Sequence, residues 1–235
     1  MSKKIYISPS NQVGNIYATG NTNEKEQCHK IARYCVEYLE KKGFSVECTY
    51  NNDMYARVRE SNAFGADLHV AIHTNATAKH NVTGGTQILL YNLSGERKKV
   101  GQSVLNRLAP LTPGKSAERL VEKPDFYEIN SAKGITVYCE CEFHDTKEGS
   151  DFIRKNTKLI GEAIAKGICD YYGIDVDAVT VGNGLDRSEN KNNTSSKDEV
   201  LYSVQVGAFR NKKNAENYMK KLKDAGFNGI VVKKN

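Results

Sequence analysis

Asp67-Leu68-His69-Val70-Ala71-Ile72-His73 is the stretch on which the fold turns. Its apolar residues are mostly β-branched or small, and it lies between Gly65 and the polar pair Thr74-Asn75, so it reads as a buried strand. Its two imidazoles share a face. Four strand residues span ~13 Å, so one metal ion cannot take both.

Working outward, the flanking segments alternate between strand and helix patterns. Lys4–Ser8 is a short strand, and Asn23–Lys42 carries apolar residues at 28, 31, 32, 35, 36 and 39 before Gly43, the spacing and stop of a helix. Phe44–Tyr50 reads as a strand and Asn52–Gly65 as a helix. Gly85–Tyr91 is a further strand and Ser94–Leu108 an amphipathic helix. Gly134–Glu140 is a strand, and Asp151–Tyr172 one long helix. This alternation predicts an α/β fold, a twisted mixed sheet flanked by helices, with ligands at the carboxyl ends of the strands.

The texture changes after Gly173. Residues 177–199 are polar and aperiodic and read as a flexible linker, which divides the chain into a domain at 1–176 and a tail at 200–235. The tail has a strand at Leu201–Phe209, a helix face at Ala215, Tyr218, Met219, Leu222 and Ala225, and a return strand at Gly229–Val232, a small βαβ unit. It also holds eight Lys/Arg against two acids, so the whole formal charge of +6 sits there and the rest is neutral. A basic tail suits a polyanion such as nucleic acid, an anionic cell wall or an acidic membrane surface. A neutral first domain argues against a nucleic-acid enzyme.

With 39% hydrophobic and 26% charged residues and a mean hydropathy of -0.59, the 235-residue chain is globular, neither fibrous nor mostly disordered. No run approaches the ~18 apolar residues of a membrane span. The opening Met1-Ser2-Lys3-Lys4-Ile5-Tyr6-Ile7-Ser8-Pro9 is too short in apolar residues for a secretory leader, so synthesis in the cytoplasm is expected. The six cysteines contain no CxxC pair and fall at buried-type positions, which predicts reduced core thiols rather than disulfides or a metal cluster.

Three side chains fall where helix starts or strand ends meet a cleft. Glu24 opens the first long helix on its apolar side, His73 closes its strand, and Glu140 ends another. A Glu and a His as metal ligands, with a second Glu as general base, suit a zinc hydrolase. Spacing alone favours a structural reading, since a carboxylate at Glu24 also suits a helix N-terminus, by ~0.3–1 kcal/mol.

These segments carry a resemblance. Asp67–Ala76 resembles the A-D-x-x-x-S-I-H-x-N-A segment of zinc-dependent N-acetylmuramoyl-L-alanine amidases of the Amidase_3 type; Gly20–Lys25 resembles the stretch bearing their metal-binding Glu; and Val137–Phe143 resembles their L-V-E-x-G-F strand, whose Glu is the catalytic base. The likeness spans residues 3–174. It implies a peptidoglycan hydrolase that cuts the amide between N-acetylmuramic acid and L-alanine, with Zn2+ held by Glu24 and His73 and with Glu140 as catalytic base. Asn75, Glu142 and His144 are then expected to contact substrate.

One position departs from that pattern. Where the family has a His in a D-P-G-H-G-G-like loop, this chain reads Ser8-Pro9-Ser10-Asn11-Gln12. Gln12 is the expected substitute ligand and Asn11 the alternative, although an amide oxygen is a poorer zinc ligand than imidazole. This loop and the Phe143-His144-Asp145 stretch are similar to those of clostridial relatives, which implies a working variant. The alternative reading is a degenerate protein that only binds peptidoglycan.

The tail resembles the first half of a SPOR domain, a peptidoglycan-binding fold. A single βαβ unit lies below the ~40 residues of an unaided domain, so a homodimer joined through residues 201–235 is expected, with no nucleic-acid or membrane partner. The whole reads as a phage-type endolysin or an autolysin acting on the wall after release.

Overall fold

The computed structural model describes residues 2–50, 53–77 and 84–176, together with Glu216. The chain divides into two units, Met1–Gly184 and Leu185–Asn235. The tail's strands, its helix face and its pairing lie outside the described residues, as do the linker and His80.

The first unit runs β1 (Lys4–Pro9), α1 (Glu24–Lys41), β2 (Ser45–Cys48), α2 (Met54–Phe64), β3 (Leu68–Asn75), β4 (Gln87–Leu90), α3 (Gly95–Leu108), β5 (Arg119–Glu122), α4 (Tyr127–Ser131), β6 (Ile135–Phe143), α5 (Lys147–Lys155) and α6 (Thr157–Tyr171). The six strands form one sheet in the order β2-β1-β3-β6-β4-β5. Every neighbouring pair is parallel except β4 with β6. The expected mixed sheet is therefore present, with β3 in its interior.

Register sorts the side chains into two sets, because successive residues of a strand point to opposite faces. Ile5, Ile7, Val70, Ile72, Val137, Cys139, Ile88 and Leu90 fall on one face, fully buried. They pack with Cys28, Ile31, Cys35 and Leu39 of α1, Val100, Val104 and Leu108 of α3, and Ile160, Ile164 and Ile168 of α6. Tyr6, Ser8, His69, Ala71, His73, Thr136, Tyr138 and Glu140 fall on the other. The short helices α2 and α4 lie over that second face, where Ile129 joins Ala71, Leu89 and Tyr138 in a small apolar cluster.

Local chemistry explains the helix limits. Asn23 caps α1 by accepting from the Glu26 N–H at 3.0 Å. Asp53 caps α2, and Gly65 ends it in the left-handed region at φ 71. The helices α1 and α6 approach closely at Gly161, where an added Cβ would lie 2.4 Å from the Ile31 carbonyl oxygen. All six cysteines are free thiols and five of them are fully buried, as their positions predict.

Two features differ from expectation. The single helix expected at Asp151–Tyr172 is two helices, α5 and α6, parted at Asn156 with φ -126. The Asn156 side-chain amide donates to the Phe152 carbonyl at 2.8 Å, taking the acceptor that a continuing helix would give its backbone N–H. The second is the β5–α4 segment, absent from the sequence reading because β5 is a short edge strand and α4 has 5 residues, too few to show a period. Among the described residues no helix is long and apolar enough to cross a membrane.

Candidate active site

β1 runs straight through Ser8 and Pro9 where a turn was expected, and the Ser10 N–H still donates to the Ile72 carbonyl at 2.9 Å, so the following loop starts beside the end of β3. Ser10 Oγ accepts from the Gln12 N–H at 3.2 Å, and Gln12 O accepts from the Lys25 N–H at 3.3 Å, which ties the loop to the start of α1. Glu24 is 1% exposed at that helix start. Its Oε1 lies 2.8 Å from His73 Nδ1, and its Oε2 accepts from Asn15 Nδ2. Gln12 Nε2 lies 3.5 Å from the same His73 nitrogen, and Gln12 Oε1 accepts from Asn15 Nδ2 at 2.9 Å. Glu24 and Gln12, two of the expected ligands, thus meet at one ring nitrogen of the third, His73.

His73 and Glu140 are register partners on adjacent parallel strands, pointing to the same face. Glu140 is half-buried, but its Oε2 is sealed from solvent without a hydrogen-bond partner. Burial raises its pKa to about 7, with the Glu24 charge adding and His73 opposing. Such a carboxyl is poised to take up or release a proton near neutrality.

The far side of the ring shows a residue that sequence reasoning missed. Glu128 of α4 is 2% exposed, and its Oε2 lies 3.8 Å from His73 Nε2. Its Oε1 accepts from Ser8 Oγ at 2.6 Å and faces His69 Nε2 at 3.3 Å and Arg57 at 3.7 Å. Arg57, 1% exposed, also donates from Nε to Ser8 Oγ at 2.9 Å. The available signal was a Glu set among Phe126, Tyr127 and Ile129, and an Arg beside Val58 inside a helix.

Charge in this cluster is arranged around His73. Burial disfavours its charged form, but Glu128, Glu24 and Glu140 outweigh that and raise its pKa to about 10. Burial likewise pushes the Glu24 and Glu128 carboxyls up. Hydrogen bonds from His73 and Asn15 outweigh this for Glu24, those from His69 and His73 do so for Glu128, and both carboxyls are held below the ordinary range.

Among the described residues no three His, Cys, Asp or Glu side chains converge as a metal site. On the Nδ1 side of His73 there are two such donors, Glu24 and His73 itself, and Gln12 is the third group within reach. A half-turn of the Gln12 amide brings its oxygen to the imidazole side. Carboxylate, imidazole and amide oxygen form a donor set that zinc accepts, and Glu140, the register partner of His73, has a buried Oε2 with no other partner. The residues present therefore fit a zinc ion.

The three expected substrate contacts are placed differently from one another. Asn75 stands half-buried at the end of β3, donating to Gln87 Oε1 at 3.2 Å. The structure corrects the other two. Glu142 is fully buried and accepts from the N–H groups of Gly85 at 2.6 Å, Phe143 at 2.7 Å and Gly114 at 3.1 Å, so it staples two loops to β6. The loops meet so closely that a Cβ on Gly114 would lie 2.3 Å from Gly84. His144, 3% exposed, has its Nδ1 3.0 Å from both Oγ1 and O of Thr74 and stacks on Tyr17 at 5.0 Å. It braces the end of β3 from below.

A buried acid–base carboxyl next to a carboxylate-held imidazole, at the strand ends of a mixed α/β sheet, defines a site of the hydrolytic class. Comparison with known proteins makes this specific. Residues 9–170 match the family N-acetylmuramoyl-L-alanine amidase, and residues 189–235 match the SPOR domain. The sporulation-specific N-acetylmuramoyl-L-alanine amidase of Bacillus subtilis is 28% identical over 241 residues, covering 99% of this chain and 85% of that protein. Two solved structures share the fold. Cwp6 from Clostridium difficile has a TM-score of 0.65 at 23% identity, covering 73% of this chain and 29% of its own. The amidase AmiC2 of Nostoc punctiforme has a TM-score of 0.65 at 20% identity, covering 73% of this chain and 97% of its own. The chain belongs to the N-acetylmuramoyl-L-alanine amidase family and carries a SPOR domain at its C-terminus. It is a peptidoglycan hydrolase, and the alternative of a degenerate binding protein is not favoured.

Proposed function

We propose that zinc is the cofactor of this amidase, with Glu24, His73 through Nδ1 and the amide oxygen of Gln12 as its protein ligands. The observation that carries the reading is Glu140 Oε2, buried and partnerless on the strand position beside His73. When bound, zinc supplies Lewis-acid polarisation of the scissile carbonyl and acidifies water.

The chain's own residues do the rest. Asn15 holds Glu24 and the Lys25 N–H donates to the Gln12 carbonyl, which ties the ligand loop to the helix start. Glu140 takes the proton from the attacking water and returns it to the amine of L-alanine as the amide breaks. Asn75, at the rim, contacts the substrate, while Glu142 and His144 hold the loops around it. The SPOR domain brings the enzyme to the glycan, and its residues 201–235 join two chains as a homodimer. The enzyme acts on the wall after release, as an endolysin or autolysin.

The test is chemical. Mass spectrometry of digested walls should show free L-alanine amino groups and intact glycan strands. Glu140→Gln should keep its zinc and lose rate by ~10²–10⁴. Chelation should abolish activity and zinc restore it. Normal wall lysis by Glu140→Gln, or activity indifferent to chelation, would overturn the assignment.

A further inference from the structure

We propose that Glu128 is a positioning residue for the reaction, a clamped carboxylate that accepts the Nε2–H of His73 and so leaves Nδ1 as the ring nitrogen that would yield its proton to a cation held beside Glu24 and Gln12. This rests on the ligand assignment above.

A neutral imidazole carries its proton on one nitrogen and a lone pair on the other, and the partner of the protonated nitrogen sets which is which. Two groups hold the His73 ring. Tyr138 stacks on it at 4.3 Å with planes 17° apart, which blocks tilting, and Glu24 sits at Nδ1. The remaining nitrogen, Nε2, is buried with no hydrogen-bond partner, and the oxygen facing it is Glu128 Oε2 at 3.8 Å. A shift of ~1 Å makes this an ordinary hydrogen bond.

Glu128 is held by more than its fit against the sheet. Ser8 from β1, His69 from β3 and Arg57 from α2 all converge on its Oε1, which leaves Oε2 aimed at His73. Its helix is tied to β6 where Thr136 Oγ1 donates to the Glu128 carbonyl at 3.0 Å. Arg57 adds a permanent positive charge against Oε1 at 3.7 Å. A clamp serving stability alone needs Oε1 only. The direction of Oε2 toward an orphaned ring nitrogen is the feature that points to chemistry, because an outer carboxylate on a ligand histidine orients the ring and raises its basicity.

The experiment compares the full-length wild-type chain with Glu128→Gln. In metal-free protein, nitrogen NMR should find the His73 Nε2–H downfield and slow to exchange, and Glu128→Gln should move it upfield and speed its exchange. Competition with a chromophoric chelator should show zinc binding weakened about 10–100-fold in the variant. At saturating zinc, kcat on a soluble muramoyl-peptide should fall with KM little changed. An identical Nε2–H signal and identical zinc affinity in folded Glu128→Gln would overturn the proposal and leave Glu128 a structural clamp. Wild-type protein that binds no zinc would instead sink the ligand assignment, while the metal-free NMR comparison still decides the Glu128–His73 contact. Should Glu128→Gln fail to fold, Ser8→Ala, which removes the shortest of the three contacts on Oε1 and loosens the carboxylate, should shift the same resonance. An unmoved signal there overturns the proposal too.

Discussion

On one face of the sheet Ile7, Val70, Ile72 and Cys139 meet apolar side chains of α1, α3 and α6. One residue further along each strand, Ser8, Ala71, His73 and Glu140 look onto the other face, where carboxylates and an arginine wait. Both faces are largely buried, yet they are held by different physics. Apolar burial is non-directional and tolerates substitution of similar volume. A buried polar cluster is stable only while every member keeps its partner, since a lost partner strands a charge in a low dielectric. The apolar face therefore supports the fold, and the polar face converts part of that support into a fixed charge pattern around His73.

Three substitutions sharpen the contrast, from the largest expected effect to the smallest. Arg57→Met removes the only guanidinium that the cluster shows against Glu128 Oε1 and should cost about 3–5 kcal/mol in denaturant unfolding, with loss of activity as well. Stability within error of wild type would mean that water or a shifted side chain replaces it. Ile164→Ala, in the centre of α6 and fully buried, should cost about 2–5 kcal/mol while leaving kcat of the folded fraction unchanged. A matching fall in kcat would show that the two faces are not separable. Glu142→Gln should cost about 1–3 kcal/mol, because its new NH2 group cannot accept from the Gly114 N–H. Amide exchange at Gly114 should quicken, and unchanged exchange there would mean that the loop is held by other contacts.

Legibility followed the range of each interaction. The helix at Glu24–Lys41 was readable to within a residue at each end, because its apolar period, its Asn23 cap and its Gly43 stop are all local. The break at Asn156 was not, because a side chain donating to a carbonyl one turn back leaves no mark on hydrophobic spacing. In the site, Glu24, His73 and Glu140 were singled out by their places at a helix start and at strand ends, with their expected roles taken from resemblance, and Gln12 by its position in a loop. Glu142 and His144 were misplaced for a common reason. A polar residue beside a catalytic strand position looks the same in sequence whether it faces substrate or backbone, and only the approach of the Gly84 and Gly114 loops and of Thr74 decides which.

By itself, then, the sequence determined the alternation of strands and helices, the reduced buried thiols and the order of the three family segments. Hydrophobic period, capping and motif are properties of neighbouring residues. Only the tertiary structure decided that β4 runs antiparallel to β6, and that β5 and α4 lie where they do. It alone brought Ser8, Arg57, His69 and Glu128 from four separate elements to the far side of the His73 ring. Contacts of that kind join residues up to 120 positions apart, and they exist only once loop closure has been offset by burial of the opposite face.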